Sequence, residues 1–379
     1  MMLSLSDDQA RLLRCRAQHL HPEDHDAPAG VARVVREVSG VQAQVPRAAA
    51  LAVRARSSGL HASDVVRARE QERSVVRTWC MRGTLHLVAT EDVGWLLSLL
   101  GPIFVAAGRH RLAKLGLDED AAARGVRAIR EELADDGPST REELVEGIRR
   151  RGVGIAPDSQ AGYPSSHLIR RAALEGILCF GPDHDGAETY VLSSDWGVSG
   201  YTGSREEALA RLARRYLAAY GPARPEDLAT WSGLSIREAR AAWTLGGDDL
   251  AEVRVAGEPA WIPGGRSRAV RESAGDARIV RLLPHLDTYL LGYRNRDLVI
   301  APRYTRRIQR GGGWLQPTVV LDGRVVAIWS YNDRGKRQSV VIEPFEELEP
   351  AIEPGLRAEA EDVGRFLGTN PVLTVRSNS

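Results

Sequence analysis

Apolar positions along the chain change period repeatedly, from the helical spacing of about 3.6 residues to the alternation typical of strands. Valines at i, i+3, i+4 and i+7 predict a helix over 31–38, and Gly40 is placed to end it. Ser6 and Gln9 have the spacing of a capping box and predict an earlier helix. Two more helices and a β-hairpin follow, predicted over 48–56, 63–73, 75–80 and 84–88.

The order of helix, helix and hairpin occurs twice more along the chain. Thr140 and Glu143 form the capping box of a second copy, and Ser235 with Glu238 that of a third. Their hairpins are predicted over 177–180 with 189–192 and over 250–255 with 260–263. This order is typical of the winged helix, a relative of the helix-turn-helix. We therefore predict three tandem winged-helix units, over 1–130, 131–200 and 201–274.

The last part of the chain, 275–379, has a different pattern. Asp322-Gly323 separates two apolar runs and predicts a hairpin with a tight turn. Another strand is predicted over 339–342 and a final helix over 356–367. The predicted fold class is α+β, with three tandem winged-helix units followed by a small antiparallel β-domain that is sheet-like or a partly closed barrel.

Composition narrows the class of protein. The chain has 379 residues, 43% of them hydrophobic, which is enough for sizeable cores. No run of about 18 apolar residues occurs and the N-terminus lacks a signal-peptide pattern, so we expect a cytoplasmic, nucleoid-associated protein without a membrane partner. Three widely spaced cysteines without a CxxC motif argue against a disulfide framework or a zinc finger.

Charge is balanced in total and uneven along the chain. The 51 basic residues include only two lysines, Lys114 and Lys336, and the rest are arginines. Arginine exceeds acids in 28–90 and in 266–310, whereas 341–363 holds eight acids and one arginine. Such a distribution predicts a molecule with one side that faces phosphates, although each run alone also fits a solvated surface.

Familiar catalytic motifs such as a Walker A loop, HExxH and GxSxG do not occur. His19, His21 and His25 lie close together, but a solvated loop explains them better than a metal site, and we expect no metal. His86 and His285 are both interpreted as candidates for buried, hydrogen-bonded histidines.

Gln42-Ala43-Gln44 is the unusual feature, because it interrupts an apolar stretch between Val41 and Val45. In an extended backbone, the two carboxamides would point to the same side. Two amides beside a core are costly unless they are paired. They either cap neighbouring backbone groups or bind something.

Three segments together resemble a known family. They are the winged-helix units, Arg82-Gly83-Thr84-Leu85-His86-Leu87-Val88, and the run from Leu286 to Arg296, LDTYLLGYRNR. With Gln42-Ala43-Gln44 just after the second helix, the chain resembles the bacterial alkylpurine DNA glycosylases of the AlkZ and YcaQ type, in their Gln-x-Gln branch. The resemblance covers nearly the whole chain.

The resemblance implies a DNA repair enzyme that hydrolyses the N-glycosidic bond of N7-alkylated guanine in double-stranded DNA. It also implies activity on bulky adducts or interstrand cross-links and a possible self-resistance role against a DNA-alkylating natural product. Gln42 and Gln44 are the catalytic candidates it assigns. The other branch of the family carries a carboxylate at the position of Gln44, so water activation by a carboxylate is in doubt here.

DNA binding is expected from the first wing and from an arginine-rich segment. The candidates are Arg82, Thr84 and His86 on the wing, and Arg294, Arg296, Arg303, Arg306 and Arg307, with Arg310 in the same group. Asp287 is expected either to orient Arg294 or Arg296 or to cap a turn, and Trp79 to belong to the core. For any single arginine, a surface ion pair is the simpler alternative.

Two other functions fit parts of the sequence. Winged helices are common in regulators, so a non-catalytic DNA-binding regulator or DNA-protecting protein is the main alternative, and a protein that sequesters an antibiotic is a third. No lysine lies near Gln42 to form a Schiff base, so we expect a monofunctional glycosylase without a cofactor, acting as a monomer.

Overall fold

The computed structural model describes residues 3–25, 30–157, 163–266, 278–333 and 338–376. Its helices, in chain order from α1 to α14, are Asp7–Ala17, Val31–Glu37, Pro46–Arg54, Ala62–Glu70, Thr90–Lys114, Glu119–Asp136, Arg141–Arg150, Pro164–Leu174, Arg205–Tyr220, Pro225–Ser232, Ile236–Gly246, Thr288–Leu291, Thr305–Ile308 and Glu353–Leu367. Its strands, from β1 to β14, are Leu3–Leu5, Val41–Gln42, Val75–Trp79, Leu85–Ala89, Ser139–Thr140, Leu178–Phe180, Thr189–Leu192, Leu250–Val255, Glu258–Pro263, Val280–Leu283, Thr318–Leu321, Arg324–Asn332, Ser339–Pro344 and Val372–Val375.

The chain forms two compact units. The first comprises Met1–Val65, Leu209–Trp231 and Ser235–Ser379, and the second comprises Val66–Ala208 with Ser232–Leu234. This division is coarser than the predicted series of three winged-helix units and a β-domain, which stays a prediction.

Local signals placed the helix starts where the sequence predicted them. Ser6 and Gln9 exchange the two hydrogen bonds of a capping box at the start of α1. The same reciprocal pairs begin α7, with Thr140 and Glu143, and α11, with Ser235 and Glu238. Each box satisfies backbone N–H groups that the first helical turn leaves without partners, which fixes the helix start from within a few residues.

In the second unit, β3 and β4 form the predicted antiparallel hairpin, and β5, β7 and β6 form a small antiparallel sheet. Helix α8 packs against α5 and α6 beneath these strands. Trp79 packs partly buried against this core and lies 5.2 Å from Phe180 between ring centroids. Its predicted core position is confirmed.

Helix α5 is long and apolar enough, by length and composition alone, to cross a membrane. The sequence predicted no such segment. Half of its most apolar stretch is buried inside the protein, where α5 packs against α8. Packing in a core therefore accounts for its apolar residues, and such a helix is weak evidence for a membrane.

In the first unit, a five-stranded sheet has the order β10-β11-β12-β13-β14. The predicted hairpin turn is present between β11 and β12, with Asp322 and Gly323 both at positive φ, 49° and 79°. A side chain at Gly323 would lie 2.7 Å from Cβ of Arg11 and 3.0 Å from the hydroxyl of Tyr289, so glycine is required there.

The predicted antiparallel, barrel-like domain is wrong in two respects. β14 pairs with β13 in parallel, so the sheet is mixed and extends beyond the strands that the sequence indicated. In the part of the chain that the structure describes, β10 and β14 are the two edges of an open sheet, and no barrel closes. Helix α14 covers this sheet by packing on β10. A second sheet joins β1 in parallel to the hairpin of β8 and β9.

Candidate active site

The Gln42–Gln44 segment follows a sharp reversal of the chain. Helix α2 ends at Glu37, and Ser39 and Gly40 adopt positive φ values of 59° and 94°. The N–H of Gly40 donates back to the carbonyl of Val35 at 2.8 Å, which closes the helix end. The chain then enters the short strand β2 and reaches Pro46, the first residue of α3.

The two glutamines differ in exposure. Gln42 lies in β2 and is 8% exposed, whereas Gln44 lies in the bend before α3 and is exposed. The expectation of two carboxamides on one side assumed an extended backbone through Gln44, but the strand ends at Gln42. Gln44 is therefore the one that a large polar substrate in solvent reaches directly.

On its N-terminal side, the segment is anchored by α9. The guanidinium of Arg215 donates to the carbonyl of Arg36 at 2.6 Å, and the hydroxyl of Tyr220 donates to the carbonyl of Val38 at 3.2 Å. Both carbonyls lie at the C-terminal end of α2, beyond which no continuing helix supplies i+4 donors. These side chains fix the direction in which the chain leaves α2.

On its C-terminal side, the segment is anchored by the arginine that ends α3. Arg54 is fully buried and donates to Glu359 and Asp362 of α14 at 3.0 and 3.1 Å. It also donates to the carbonyl of Leu282 at 2.7 Å. Since a buried charge is costly without partners, these contacts hold α3 firmly against the sheet.

Arg56, just after α3, makes the second anchor. It binds both carboxylate oxygens of Asp287 at 2.7 and 2.9 Å, and both side chains have 0% exposure. Asp287 also accepts from the N–H of Tyr289 and caps α12. The predicted cap is confirmed, and the predicted pairing of Asp287 with Arg294 or Arg296 is wrong.

The first wing has a strained turn between β3 and β4. Arg82 is half-buried with φ 55° and ψ 11°, a left-handed conformation that costs a non-glycine residue free energy. The half-buried Arg170 of α8 donates to the carbonyl of Gly83 at 3.2 and 3.3 Å and supports this turn. The predicted roles of Arg82 and of the half-buried Thr84 in DNA binding stay predictions.

His86 is a buried neutral histidine. It is 1% exposed, and its Nδ1 lies 2.9 Å from the carbonyl oxygen of Thr84. Because a carbonyl only accepts, Nδ1 carries the proton and Nε2 keeps its lone pair. Burial and the Arg82 guanidinium lower the pKa of His86 to about 3. Such a ring neither neutralises a phosphate nor reaches solvent, so the predicted direct contact with DNA is not supported.

This burial predicts a pH dependence of stability. In the unfolded chain, His86 takes up a proton near pH 6.5, but in the folded protein only near pH 3. Between these values the unfolded state binds more protons, so the free energy of unfolding should fall as pH is lowered below 6.5, by at most about 1.4 kcal/mol per pH unit from this group. Urea unfolding of His86→Gln from pH 7 to 4.5 should show a shallower pH slope than wild type.

The exposed His184 of the same unit provides the control for this experiment. His184→Gln should keep the wild-type slope. Equal slopes for His86→Gln and wild type would mean that His86 takes up a proton equally in both states.

The predicted DNA-binding arginines separate into two groups. Arg294, Arg303, Arg306, Arg307 and Arg310 are exposed. Arg296 is half-buried, and its Nε donates to the carbonyl of Leu290 at 2.6 Å. Burial also lowers the pKa of Arg296. The side chain of Arg296 therefore stabilises a turn of its own segment. The exposed arginines stay candidates for contact with DNA.

The acidic run 341–363 is partly paired with the two basic runs. Four of its eight carboxylates take part, in the pairs Glu346–Arg303, Glu349–Arg278, Glu359–Arg281, Glu359–Arg54 and Asp362–Arg54. These pairs neutralise much of the predicted charge asymmetry. Arg306, Arg307 and Arg310 lie outside them, so the positive surface is narrower than the sequence indicated.

The histidine group near the N-terminus is divided. His19 lies 3.1 Å from Glu37, between Nε2 and Oε2, and the buried His21 contacts Glu23. The side chain of His25 lies outside the described residues. Among the described residues, no group of three or more His, Cys, Asp or Glu side chains has the arrangement of a metal site.

Comparison with known proteins decides the family. The family model described as DNA glycosylase AlkZ-like matches residues 35–366. The chain belongs to the AlkZ-like DNA glycosylase family. The resemblance to the family is thereby confirmed, and the assignment to the Gln-x-Gln branch stays a prediction.

Two AlkZ-like matches cover almost the whole chain. The interstrand DNA cross-link repair glycosylase of Streptomyces sahachiroi is 32% identical over 371 residues, which cover 94% of this chain and 95% of the relative. The solved structure of the Streptomyces sahachiroi DNA glycosylase AlkZ superposes with a TM-score of 0.81 at 29% identity, covering 99% of this chain and all of that one.

Several residues that anchor the Gln42–Gln44 segment were not found by sequence reasoning. Arg54, Arg56 and Arg215 are ordinary arginines in an arginine-rich chain, and their buried partners lie far away in the sequence. The signal that was present is their position, because Arg54 and Arg56 lie at the end of an apolar segment that was predicted to be helical. Arginine next to a core requires a buried acceptor.

Proposed function

We propose that the protein hydrolyses the N-glycosidic bond of N7-alkylated guanine in double-stranded DNA, including bulky adducts and interstrand cross-links. The observation that carries the proposal is the Gln42-Ala43-Gln44 segment, held at both ends by buried or half-buried side chains and exposed at Gln44. Membership of a DNA glycosylase family and the name of the cross-link repair relative support the same substrate.

The chemistry of this lesion suits glutamine. Alkylation at N7 makes the guanine cationic, so the base departs as a neutral molecule when the C1′–N9 bond breaks and its electron pair stays on N9. Water then adds to C1′ and releases a proton to the solvent, leaving an abasic site. No proton needs to be given to the leaving base.

A carboxamide does not titrate near neutral pH, but it donates and accepts hydrogen bonds. We assign to Gln42 and Gln44 the positioning of the water against C1′. Positioning alone can supply about 7–11 kcal/mol when the reacting groups are well aligned. Amide oxygens directed at the sugar would also stabilise the positive charge that develops there.

The exposure of Gln44 supports the inclusion of large lesions. Many enzymes that act on a base rotate it into a tight pocket, which a bulky adduct or a guanine covalently joined to the other strand does not enter. A catalytic group at the surface avoids that requirement.

We also propose that the protein acts on the nucleoid as a monomer without a cofactor and protects against a DNA-alkylating natural product.

The test is base release from a duplex that carries a single lesion. Three labelled duplexes are compared, with N7-methylguanine, a bulky N7 adduct and a nitrogen-mustard cross-link, and abasic sites are revealed by heat or alkali. We expect lesion-dependent release and none from the unmodified duplex. Failure on all three lesions, with duplex affinity indifferent to the lesion, would instead indicate a non-catalytic DNA-binding regulator.

Borohydride distinguishes a monofunctional enzyme from a lyase. A lyase forms a Schiff base between an amine and C1′, which borohydride traps as a covalent adduct. The sequence contains two lysines. Lys114 is exposed on α5, and Lys336 lies outside the described residues. We therefore expect base release without a trapped enzyme–DNA adduct and without strand cleavage before heating. A trapped adduct would contradict the hydrolytic mechanism.

A further inference from the structure

Trp314 is an exposed aromatic side chain at an unusual position in the first unit. It is 47% exposed and follows three consecutive glycines between α13 and β11. Gly311, Gly312 and Gly313 all have positive φ, 82°, 57° and 80°. Added Cβ atoms at the first and third would meet nothing within 4 Å, so the turn faces open space.

The base of this turn is ordered by hydrogen bonds. The backbone N–H of Arg310 donates to the carbonyl of Trp314 at 3.1 Å. The backbone N–H of Trp314 donates to the carbonyl of Gly311 at 3.0 Å. His285 donates through Nδ1 to the carbonyl of Leu315 at 3.1 Å. The indole therefore projects from a fixed backbone position.

The ring contacts around Trp314 leave part of the indole open. His285 meets it in a T-shaped arrangement, with centroids 6.3 Å apart and an interplanar angle of 88°. A T-shaped contact leaves at least one face of the indole uncovered. Phe345 differs from Trp314, because its ring has two partners. Arg307 lies over it and Tyr304 stacks on it. An uncovered indole face is a surface for stacking.

Positive charge lies next to Trp314 along the chain. Arg306, Arg307 and Arg310 are exposed and precede the glycine turn. Arginine next to an exposed aromatic ring is the combination with which proteins bind single-stranded nucleic acid, where cations bind phosphates and rings stack on bases. The positive charge of this segment complements a polyanion. An apolar protein surface would offer these arginines no acceptors.

We propose that Trp314 stacks on an unpaired nucleobase of bound DNA while Arg306, Arg307 and Arg310 bind the adjacent phosphates. The bases of an intact duplex already stack on one another, so the contact requires a base displaced from the helix. A base that has lost its partner beside a distorting lesion meets this requirement. The inference rests on the proposed DNA glycosylase function and assigns to it a base-stacking residue.

The experiment measures binding of three fluorescent oligonucleotides by anisotropy at several salt concentrations. They are a fully paired duplex, the same duplex with one unpaired base, and the single strand. Trp314→Ala should weaken binding of the second and third by about tenfold, with little change for the paired duplex. Trp314→Phe should restore most of the affinity, because it restores the aromatic face.

Salt dependence separates stacking from charge. Arg306→Ala with Arg307→Ala should weaken binding of all three DNAs and lower the slope of log affinity against log salt, by up to about 0.9 for each duplex phosphate that the variant no longer neutralises. Trp314→Ala should leave that slope unchanged. Leu245, an exposed apolar side chain on α11, provides the control, and Leu245→Ala should bind like wild type.

The proposal is overturned if Trp314→Ala binds the unpaired-base duplex and the single strand as wild type does, or if phenylalanine does not restore a loss. These results are independent of base excision. Excision by a wild-type protein whose Trp314→Ala variant binds normally would remove only the stacking role. A stacking effect in a protein that releases no base would remove only the glycosylase.

Discussion

The Gln44→Ala protein should release N7-alkylguanine at least about 100-fold more slowly than wild type, with an almost unchanged free energy of unfolding. The rate falls because a preorganised polar group is lost, and removing one such group typically costs 10²- to 10³-fold. Stability is retained because Gln44 is exposed, and truncating a surface side chain usually changes stability by about 0.5 kcal/mol or less.

Single-turnover excision of an N7-methylguanine duplex measures the rate, and DNA affinity and urea unfolding are measured on the same proteins. Gln71, exposed in the second unit, provides the matched control, and Gln71→Ala should keep the wild-type rate. Gln42→Ala should also lose excision, but its side chain is buried, so its stability must be measured before the rate is interpreted. Wild-type rates in the double Gln42→Ala/Gln44→Ala protein would remove the catalytic assignment.

A carboxylate at the same position gives a sharper test of the role of Gln44. The wild-type rate should not depend on pH between 5 and 8, because a carboxamide does not titrate there. Gln44→Asp should keep excision and add a rise of rate with pH around the carboxyl pKa of about 3.9. A pH-dependent wild-type rate would indicate a general base that has not been identified.

Loss of Arg56 should be the most destabilising single change on the C-terminal side of the glutamine segment. Arg56→Met leaves the carboxylate of Asp287 buried without its cation, and breaking a buried pair in this way costs about 3–5 kcal/mol. Replacing Asp287 as well, in Arg56→Met/Asp287→Asn, removes the charge and keeps an oxygen to cap α12. The double variant should therefore be more stable than Arg56→Met alone.

The control for this prediction is an exposed ion pair made by α3, the helix that Arg56 follows. Arg47 pairs with Asp333 at the surface, and Arg47→Met should cost less than about 1 kcal/mol. Urea unfolding monitored by circular dichroism compares the proteins. If Arg56→Met and Arg47→Met were equally stable, the buried pair would contribute no more than a surface pair.

Features that depend on a few neighbouring residues were predictable from the sequence. The capping boxes at Ser6, Thr140 and Ser235 place helix starts because donor and acceptor lie three residues apart. The turn at Asp322-Gly323 follows from the same kind of local requirement. These signals carried most of the predicted elements and the position of the glutamine segment.

Features that depend on distant residues were not predictable. The sequence offered Asp287 a turn to cap or a nearby arginine to orient; the cap is present, but the charged partner is Arg56, 231 positions away. The sheet was expected to be antiparallel and barrel-like, because the parallel strand β14 follows a helix and lies outside the apolar runs that indicated strands. The different exposure of Gln42 and Gln44 was not predictable, because β2 ends where the chain must enter α3, and side-chain alternation does not contain that constraint.

The contact of Arg54 with Glu359 has a consequence for the synthesis of the protein. The two residues are 305 positions apart, so α3 leaves the ribosome long before its acidic partners on α14 are made. A nascent or prematurely terminated polypeptide contains the glutamines without their final support. Full anchoring of this segment is therefore delayed until almost the whole message has been translated, and fragments that lack α14 should lack this support of α3.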